Sequence, residues 1–174
     1  QGELFSTARQ IPNIAIQLCF YRGFGEFSTS NWFTSHLELE NFMRTVHCQG
    51  GQTQIIRLLK YAISEHSKLP IRALLFIGDA CEEDPNQLFN LAGQCRLLNL
   101  PIFVFQEGSE RRAGEVFQRI ASLSNGVHSQ FDQSSASTLS SLLSALSRYM
   151  TGGKTALENS AQRGDKILLE QLKK

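Results

Sequence analysis

The chain has 174 residues, enough for one domain with a buried core. Its 17 basic and 16 acidic residues nearly cancel, which argues against a general affinity for nucleic acid or anionic membranes. No apolar run approaches the roughly 20 residues that span a bilayer, and no basic-then-apolar leader opens the sequence. These features predict a soluble cytoplasmic protein with neither membrane insertion nor an included export signal.

The four cysteines lack the C-x-x-C spacing of redox motifs and many zinc sites. Two of them fall on apolar faces of predicted elements, so reduced thiols in a reducing compartment are expected. The cysteines are Cys19, Cys48, Cys81 and Cys95.

The first part of the chain predicts two strands followed by two helices. The apolar spacing in Gln1 to Gln10 predicts the C-terminal half of a helix. Ile14 to Tyr21 is a short apolar run that predicts a buried strand, and Glu26 to Phe33 predicts a short edge strand. Capping-box spacing predicts a helix at about 36–46, and helical periodicity predicts another from Thr53 to about Ser67.

The second part of the chain alternates apolar strands with amphipathic helices. The predicted elements, in order, are a strand at Ile71–Ile77, a helix with Asp84 as N-cap, Pro85 at N1 and an apolar stripe over Leu88–Leu98, a strand at Pro101–Phe105, a helix over Ala113–Ala121, a weaker strand at Val127–Asp132 and a helix over Leu139–Met150. This alternation predicts an α/β fold with three layers, a mainly parallel sheet and helices on both faces. In such sheets, ligands bind beyond the carboxyl ends of the strands.

We expect a boundary within the chain near residue 151, because two glycines follow the helix that ends at Met150. Residues 1–151 are predicted to form the domain, and residues 152–174 a C-terminal helical extension packed on it or trailing it. Gly164-Asp165 interrupts this extension, and its last residues fit either a helix or an extended tail.

Asp79 is the strongest candidate for chemistry, because it directly follows an apolar strand and lies between Gly78 and Ala80. A carboxylate in that position suits a hard cation with oxygen ligands, although capping of the turn or of the next helix explains it equally well. Gly50-Gly51-Gln52-Thr53 is predicted to be a flexible loop that places the Thr53 hydroxyl at a helix start, where a plain N-cap is the more common role. The two residues together favour a metal site more than either does alone.

Three acids beyond Asp79 either attract a cation or favour the start of the next helix through its dipole, and the dipole is the more common cause. These acids are Glu82, Glu83 and Asp84. The G-x-G at Gly23 lacks the third glycine of a dinucleotide-binding fingerprint, which argues against NAD binding. The segment from Gly152 resembles the end of a phosphate-binding loop but lacks its leading glycine. The four scattered histidines indicate no catalytic triad.

Five aromatic residues cluster around one predicted loop. Packing beneath a helix is the more common cause of such a cluster, and a partner surface is the alternative. The residues are Tyr21, Phe24, Phe27, Trp32 and Phe33.

The ordered motifs resemble those of von Willebrand factor type A (VWA) domains, in particular a bacterial VWA-like family of largely unassigned function. The segments that carry the likeness are IQLCFYRGFGEF (Ile16 to Phe27), CQGGQTQI (Cys48 to Ile55), LLFIGDACEED (Leu74 to Asp84), PIFVFQEG (Pro101 to Gly108) and SNGVHSQFD (Ser124 to Asp132). The resemblance implies a metal-ion-dependent adhesion site for Mg²⁺, built from D-x-S-x-S or D-x-T-x-S, a later Thr and a later Asp. The later two correspond to Thr53 and Asp79.

The sequence departs from that pattern because no D-x-[ST]-x-S occurs before Ile14. The resemblance therefore implies that the first, central strand of the sheet and the best metal ligands are missing. We expect Thr53 and Asp79 to form a remnant site that does not bind Mg²⁺ tightly. We also expect the two exposed sheet edges either to close on each other or to pair with a second copy of the chain, which would give a homo-oligomer.

Three functions are compatible with these expectations. The first is a non-enzymatic protein-binding module with an incomplete adhesion site and a protein partner of unknown identity. The second is a metal-dependent hydrolase that uses Asp79 with the acids after the Ile71–Ile77 strand, which requires at least two of those carboxylates to converge in a pocket. The third is a structural oligomerisation unit.

Overall fold

The computed structural model describes residues 14–47, 49–131, 136–160 and 162–172, with backbone alone at positions 36, 136–140 and 171. The predicted half-helix at Gln1–Gln10, Cys48 and Asp132 lie outside the described residues. The elements in chain order are β1 (Ile16–Arg22), β2 (Glu26–Phe33), α1 (His36–Arg44), α2 (Ile55–Lys68), β3 (Leu74–Gly78), α3 (Pro85–Leu97), β4 (Ile102–Glu107), α4 (Arg111–Leu123), β5 (His128–Phe131), α5 (Ala136–Glu158) and α6 (Arg163–Gln171).

The chain divides into two compact units, one of residues 1–52 with 136–169 and the other of residues 53–135 with 170–174. Among the described residues, no helix is both long enough and apolar enough to cross a membrane.

Strands β1 and β2 form an antiparallel hairpin in the first unit, with Tyr21 opposite Phe27. Gly23 begins the turn with φ 58°, a conformation that favours glycine. Every residue of β1 is only half-buried, so the prediction of a buried strand there is wrong. The reason is that the hairpin is a two-stranded sheet, which covers less side-chain surface than a central position in a larger sheet.

Helix α1 follows the hairpin directly. The Ser35 hydroxyl accepts a hydrogen bond from the Glu38 backbone amide at 3.4 Å, as the capping-box spacing predicts. The Phe33 and Phe42 rings pack with their centroids 5.5 Å apart, which anchors the helix to the end of β2.

Helices α5 and α6 make a close pair in the same unit. Gly153, with φ 65° and ψ −161°, kinks α5. A Cβ atom added at Gly164 would lie 2.1 Å from the Ser141 carbonyl oxygen, so the backbones of the two helices nearly touch. Asp165 is fully buried, and its carboxylate accepts hydrogen bonds of 2.9–3.1 Å from the Arg148 guanidinium. Arg163–Gln171 is helical, so the described end of the chain is not an extended tail.

Strands β3, β4 and β5 form a parallel sheet in the second unit, in that order. The first four residues of β4, Ile102 to Phe105, are at most 1% exposed. Successive strand residues point to opposite faces, so both faces of the sheet are covered at its centre. Helix α4 packs on β4 and β5, and α3 lies between α2 and α4.

The α/β class is confirmed, with a parallel sheet flanked by helices. The three-stranded sheet is parallel, and the other two described strands form the separate antiparallel hairpin. No described strand pairs with both β1 and β3.

Candidate functional site

Thr53 and Glu82 form a reciprocal hydrogen-bonded pair beside the start of α2. Glu82 Oε2 accepts from the Thr53 hydroxyl at 2.8 Å and from the Thr53 backbone amide at 3.2 Å. The Glu82 backbone amide lies 3.3 Å from Thr53 Oγ1 and donates to it in return. These bonds favour the charged carboxylate, so the side-chain bond from Thr53, followed by the bond from its amide, lowers the pKa of Glu82.

The neighbouring Glu83 caps α2 from outside the helix. Its Oε1 accepts from the Ile55 amide, and its Oε2 accepts from the Ile56 amide at 2.9 Å. Gln54, the N-cap residue, makes no side-chain cap bond of its own. Glu83 therefore satisfies two amides of the first turn and places a negative charge at the positive end of the helix dipole.

Two expectations about these residues are corrected by this geometry. Thr53 is not the N-cap of α2, because Gln54 occupies that position and the Thr53 hydroxyl bonds to Glu82. Of the three acids, Asp84 is the one that caps the next helix, where it accepts a hydrogen bond from the Asn86 amide at 3.1 Å. Glu82 and Glu83 instead bond to residues 53–56 in the preceding segment of the chain.

Asp79 lies in the bend directly after β3 and is exposed. It stands at the carboxyl end of the parallel sheet, where ligands of this class of fold bind. The hydrogen bonds of the Thr53 hydroxyl among the described residues go to Glu82. The structure thus joins Thr53 to Glu82, a pairing that the sequence did not predict.

The glycines before Thr53 are held against the β1–β2 turn. The Gln52 amide donates to the Gly23 carbonyl at 3.1 Å, and a Cβ at Gly51 would lie 1.9 Å from that oxygen. The Arg22 guanidinium also donates to the His47 carbonyl at 3.0 Å. The segment that the sequence predicts as a flexible loop is therefore fixed by backbone contacts that leave no space for a side chain at Gly51.

A groove of about 360 Å³ runs along the start of α2. Its lining residues are Thr53, Gln54, Ile56, Arg57, Lys60 and Glu83. Glu83 is the one carboxylate among them, and both of its oxygens accept bonds from helix amides. A hydrolase would need at least two carboxylates that converge in one pocket. This groove contains one, so it does not meet that requirement.

The donor set does not suit a tightly held Mg²⁺. Within the described part of the chain, no three His, Cys, Asp or Glu side chains are grouped so that they could hold a metal ion. Mg²⁺ keeps its waters unless several oxygen ligands in octahedral geometry replace them, and the Thr53 hydroxyl already bonds to Glu82.

The sequence analysis did not identify a polar cluster that joins β4 to β5 around the buried Gln106. Gln106 is fully buried, and its side-chain amide donates to the Glu110 carbonyl at 2.8 Å. Its Oε1 therefore accepts from Gln130 and from His128 Nε2, each at 3.1 Å. Burial lowers the pKa of His128. The feature of the sequence that could have indicated this cluster is Gln106, which follows the apolar residues of β4.

The aromatic cluster divides between packing and exposure. Phe33 packs on α1, whereas Phe24 at the hairpin tip is 88% exposed and Trp32 is 36% exposed. Packing on a helix therefore accounts for Phe33, whereas Phe24 and Trp32 are exposed.

The structure is similar to a solved VWA domain, that of SpRpn10, with a TM-score of 0.60 over 80% of this chain and 78% of that chain. This chain has a VWA-like fold. Sequence identity is 15%, so the similarity shows the fold of the VWA-like chain and not its function. No known protein-family profile and no curated protein matches the sequence.

Proposed function

We propose that this chain is a non-enzymatic protein-binding module whose adhesion site is incomplete. The VWA-like fold supports the proposal because VWA domains commonly mediate protein interactions. The observation that carries it is the engagement of Glu82 and Glu83, whose oxygens bond to Thr53 and to the first turn of α2. Carboxylates whose oxygens already accept such hydrogen bonds are poor general bases and poor metal ligands.

The remnant site consists of Thr53 and Asp79 and holds Mg²⁺ weakly or not at all. A cation that recruited the Thr53 hydroxyl would have to compete with a 2.8 Å charge-assisted bond to Glu82. Partner binding is therefore independent of divalent metal.

The hairpin tip supplies the binding anchor. Phe24 lies between two glycines at the end of a hydrogen-bonded hairpin and is 88% exposed, and the Arg22–Glu26 ion pair at 2.8 Å borders the turn. A large aromatic side chain on a rigid support, with a polar rim, is the usual composition of an interface hot spot.

The test is capture of a partner by the immobilised chain, in Mg²⁺ and in EDTA, with Phe24→Ala as the variant. We expect one protein to be retained equally in both buffers and lost with Phe24→Ala, because truncating a hot-spot aromatic weakens binding by about 2 kcal/mol or more. The matched control is Leu97→Ala, which truncates another isolated apolar side chain, 84% exposed, on α3.

Two outcomes would contradict the proposal. One is retention that requires Mg²⁺, accompanied by micromolar Mg²⁺ or Mn²⁺ binding in calorimetry. The other is equal loss of the partner with Phe24→Ala and with Leu97→Ala, which would indicate non-specific apolar adsorption.

A further inference from the structure

The outward face of α3 is exposed and carries no charged residue. Asn86, Asn90, Gly93 and Leu97 follow one another at intervals of four, three and four residues, which places them on one side of the helix. The two asparagines are exposed, and Leu97 is 84% exposed. The buried residues of α3 lie on the opposite side and are Leu88, Leu91, Ala92 and Cys95.

The lack of charge distinguishes α3 from the helices that pack beside it. The exposed positions of α2 include Arg57, Lys60 and Lys68, and those of α4 include Arg111, Arg112, Glu115 and Arg119. Helix α3 has one charged residue, Arg96, which lies outside the four positions of the outward face. Depletion of charge is typical of the centre of a protein interface, because a charge there would have to lose its water.

Gly93 has no role within the chain that explains a glycine. A Cβ atom added there would meet nothing within 4 Å, and its φ angle is not positive. Glycine is among the least favourable residues in the middle of a helix. At the other glycines of the described helices, either an added Cβ would lie within 3 Å of an atom of the chain, as at Gly114, Gly152 and Gly164, or φ is positive, as at Gly153.

Leu97 and Gly93 make this face complementary to a copy of itself. They lie about one turn apart, so the face contains both a protruding side chain and a position without one. Turning α3 about a two-fold axis at Gly93 gives an antiparallel pair of helices in which the two glycines face each other. Leu97 of each copy then enters the space between Phe89, Asn90 and Gly93 of the other, as a knob enters a hole.

The charges of the chain do not oppose this arrangement. The two copies of Arg96 lie on opposite sides of the two-fold axis, about 9 Å apart along the helices. The Asn90 side chain already accepts a hydrogen bond of 3.0 Å from Gln94, which reduces the cost of removing its water. The net charge of +1 adds little repulsion between two copies.

We infer that two copies of this chain associate through antiparallel packing of α3 on α3, with Gly93 at the crossing point. The interface is isologous, so it closes at two copies. This surface is distinct from the Phe24 anchor, so the inference adds self-association to the proposed function and does not depend on it.

The test is sedimentation velocity of the full chain over a range of protein concentrations. Wild type is expected to pass from monomer to dimer as the concentration rises. Gly93→Leu fills the position where the two helices meet and should remain monomeric. Leu97→Ala removes both inserted side chains and is expected to raise the dimer dissociation constant about 10-fold or more.

A matched control is available on the same helix. Gln87→Leu adds the same side chain as Gly93→Leu at an exposed position outside the outward face, so it should dimerise as wild type does. Urea unfolding at a concentration where wild type is monomeric measures the effect on the fold. Gly93→Leu should be at least as stable as wild type there, because leucine favours a helix more than glycine does and its Cβ meets no other atom.

Four results would overturn the inference. They are a wild type that is monomeric at all concentrations, a dimer that survives Gly93→Leu, equal loss of the dimer in Gln87→Leu and Gly93→Leu, and a Gly93→Leu monomer that is less stable than wild type. Leu97→Ala separates this inference from the proposed function, because it should weaken the dimer and leave the Phe24-dependent capture of a partner unchanged. Each proposal can therefore fail while the other stands.

Discussion

Glu83 performs for α2 the role that an N-cap side chain has in most helices. We predict that Glu83→Ala lowers the free energy of unfolding by about 1–2 kcal/mol, because two amides of the first turn lose their acceptor. Urea unfolding measures the change. The matched control is Glu115→Ala, which removes an exposed ion pair with Arg111 and should cost at most about 0.5 kcal/mol. Equal effects of the two variants would show that the cap contributes nothing.

His128 makes stability depend on pH in mild acid. Burial holds its pKa below the ordinary value of 6.5, so the unfolded chain takes up a proton before the folded chain does. The stability that neutral His128 contributes is complete above about pH 6.5 and decreases as pH falls from there towards the folded pKa. Glu82 adds a second loss below its ordinary value of 4.5, because its pKa is also lowered in the fold.

We therefore predict that the melting temperature falls between pH 7 and pH 5, and that the fall is smaller in His128→Gln. A neutral amide retains a donor for Gln106 without a titrating group. Melting curves across this pH range test the prediction. A variant that loses as much stability as wild type would show that other groups cause the dependence.

Local caps could be predicted from sequence, and remote caps could not. Ser35 and Asp84 cap helices that begin one residue later, so spacing alone reveals them. Glu83 caps a helix that begins 28 positions before it in the chain, and only tertiary structure brings it there. The bond between Thr53 and Glu82 spans 29 positions, so it could not be predicted from local spacing either.

At the scale of elements, the contact between the β1–β2 turn and the following loop depends on one of two adjacent glycines. A Cβ at Gly51 would lie 1.9 Å from the Gly23 carbonyl oxygen, whereas a Cβ at Gly50 meets nothing within 4 Å. We predict that Gly51→Ala destabilises the fold by about 1–3 kcal/mol through overpacking, and that Gly50→Ala changes stability by less than about 1 kcal/mol. Thermal melting of the two variants compares them directly.

A Gly51→Ala variant as stable as Gly50→Ala would mean that the two segments separate easily. The sequence offered the pair of glycines as one flexible linker, because both residues lack a side chain. Only the approach of a second backbone distinguishes the position that must be glycine from the one that need not be.

The type of each described element could be predicted better than its burial. Helical periodicity and apolar runs indicate type through local spacing, and the hairpin and the three later strands all form. Burial depends on neighbours, so the apolar runs of β1 and β4 look alike in sequence, yet β1 is half-buried and β4 is buried on both faces. The number of strand partners decides the difference.

At the scale of the whole molecule, the alternation of strands and helices was sufficient to predict the α/β class, and the resemblance of the motifs indicated the VWA-like fold. It was not sufficient to predict how the strands group. Pattern gives the order of the elements along the chain, whereas the division into two sheets depends on which edges find partners. The metal site and the binding partner are not fixed by fold alone, because both depend on a few side chains whose contacts are long-range.

The engagement of Glu82 and Glu83 also affects how the molecule exchanges its amide protons. The first-turn amides of a helix usually exchange rapidly, because nothing within the helix accepts from them. Here the amides of Thr53, Ile55 and Ile56 are bonded to a loop that follows a strand of the parallel sheet. Their deuterium uptake therefore reports on that loop, so a site in α2 reveals when the end of β3 has opened.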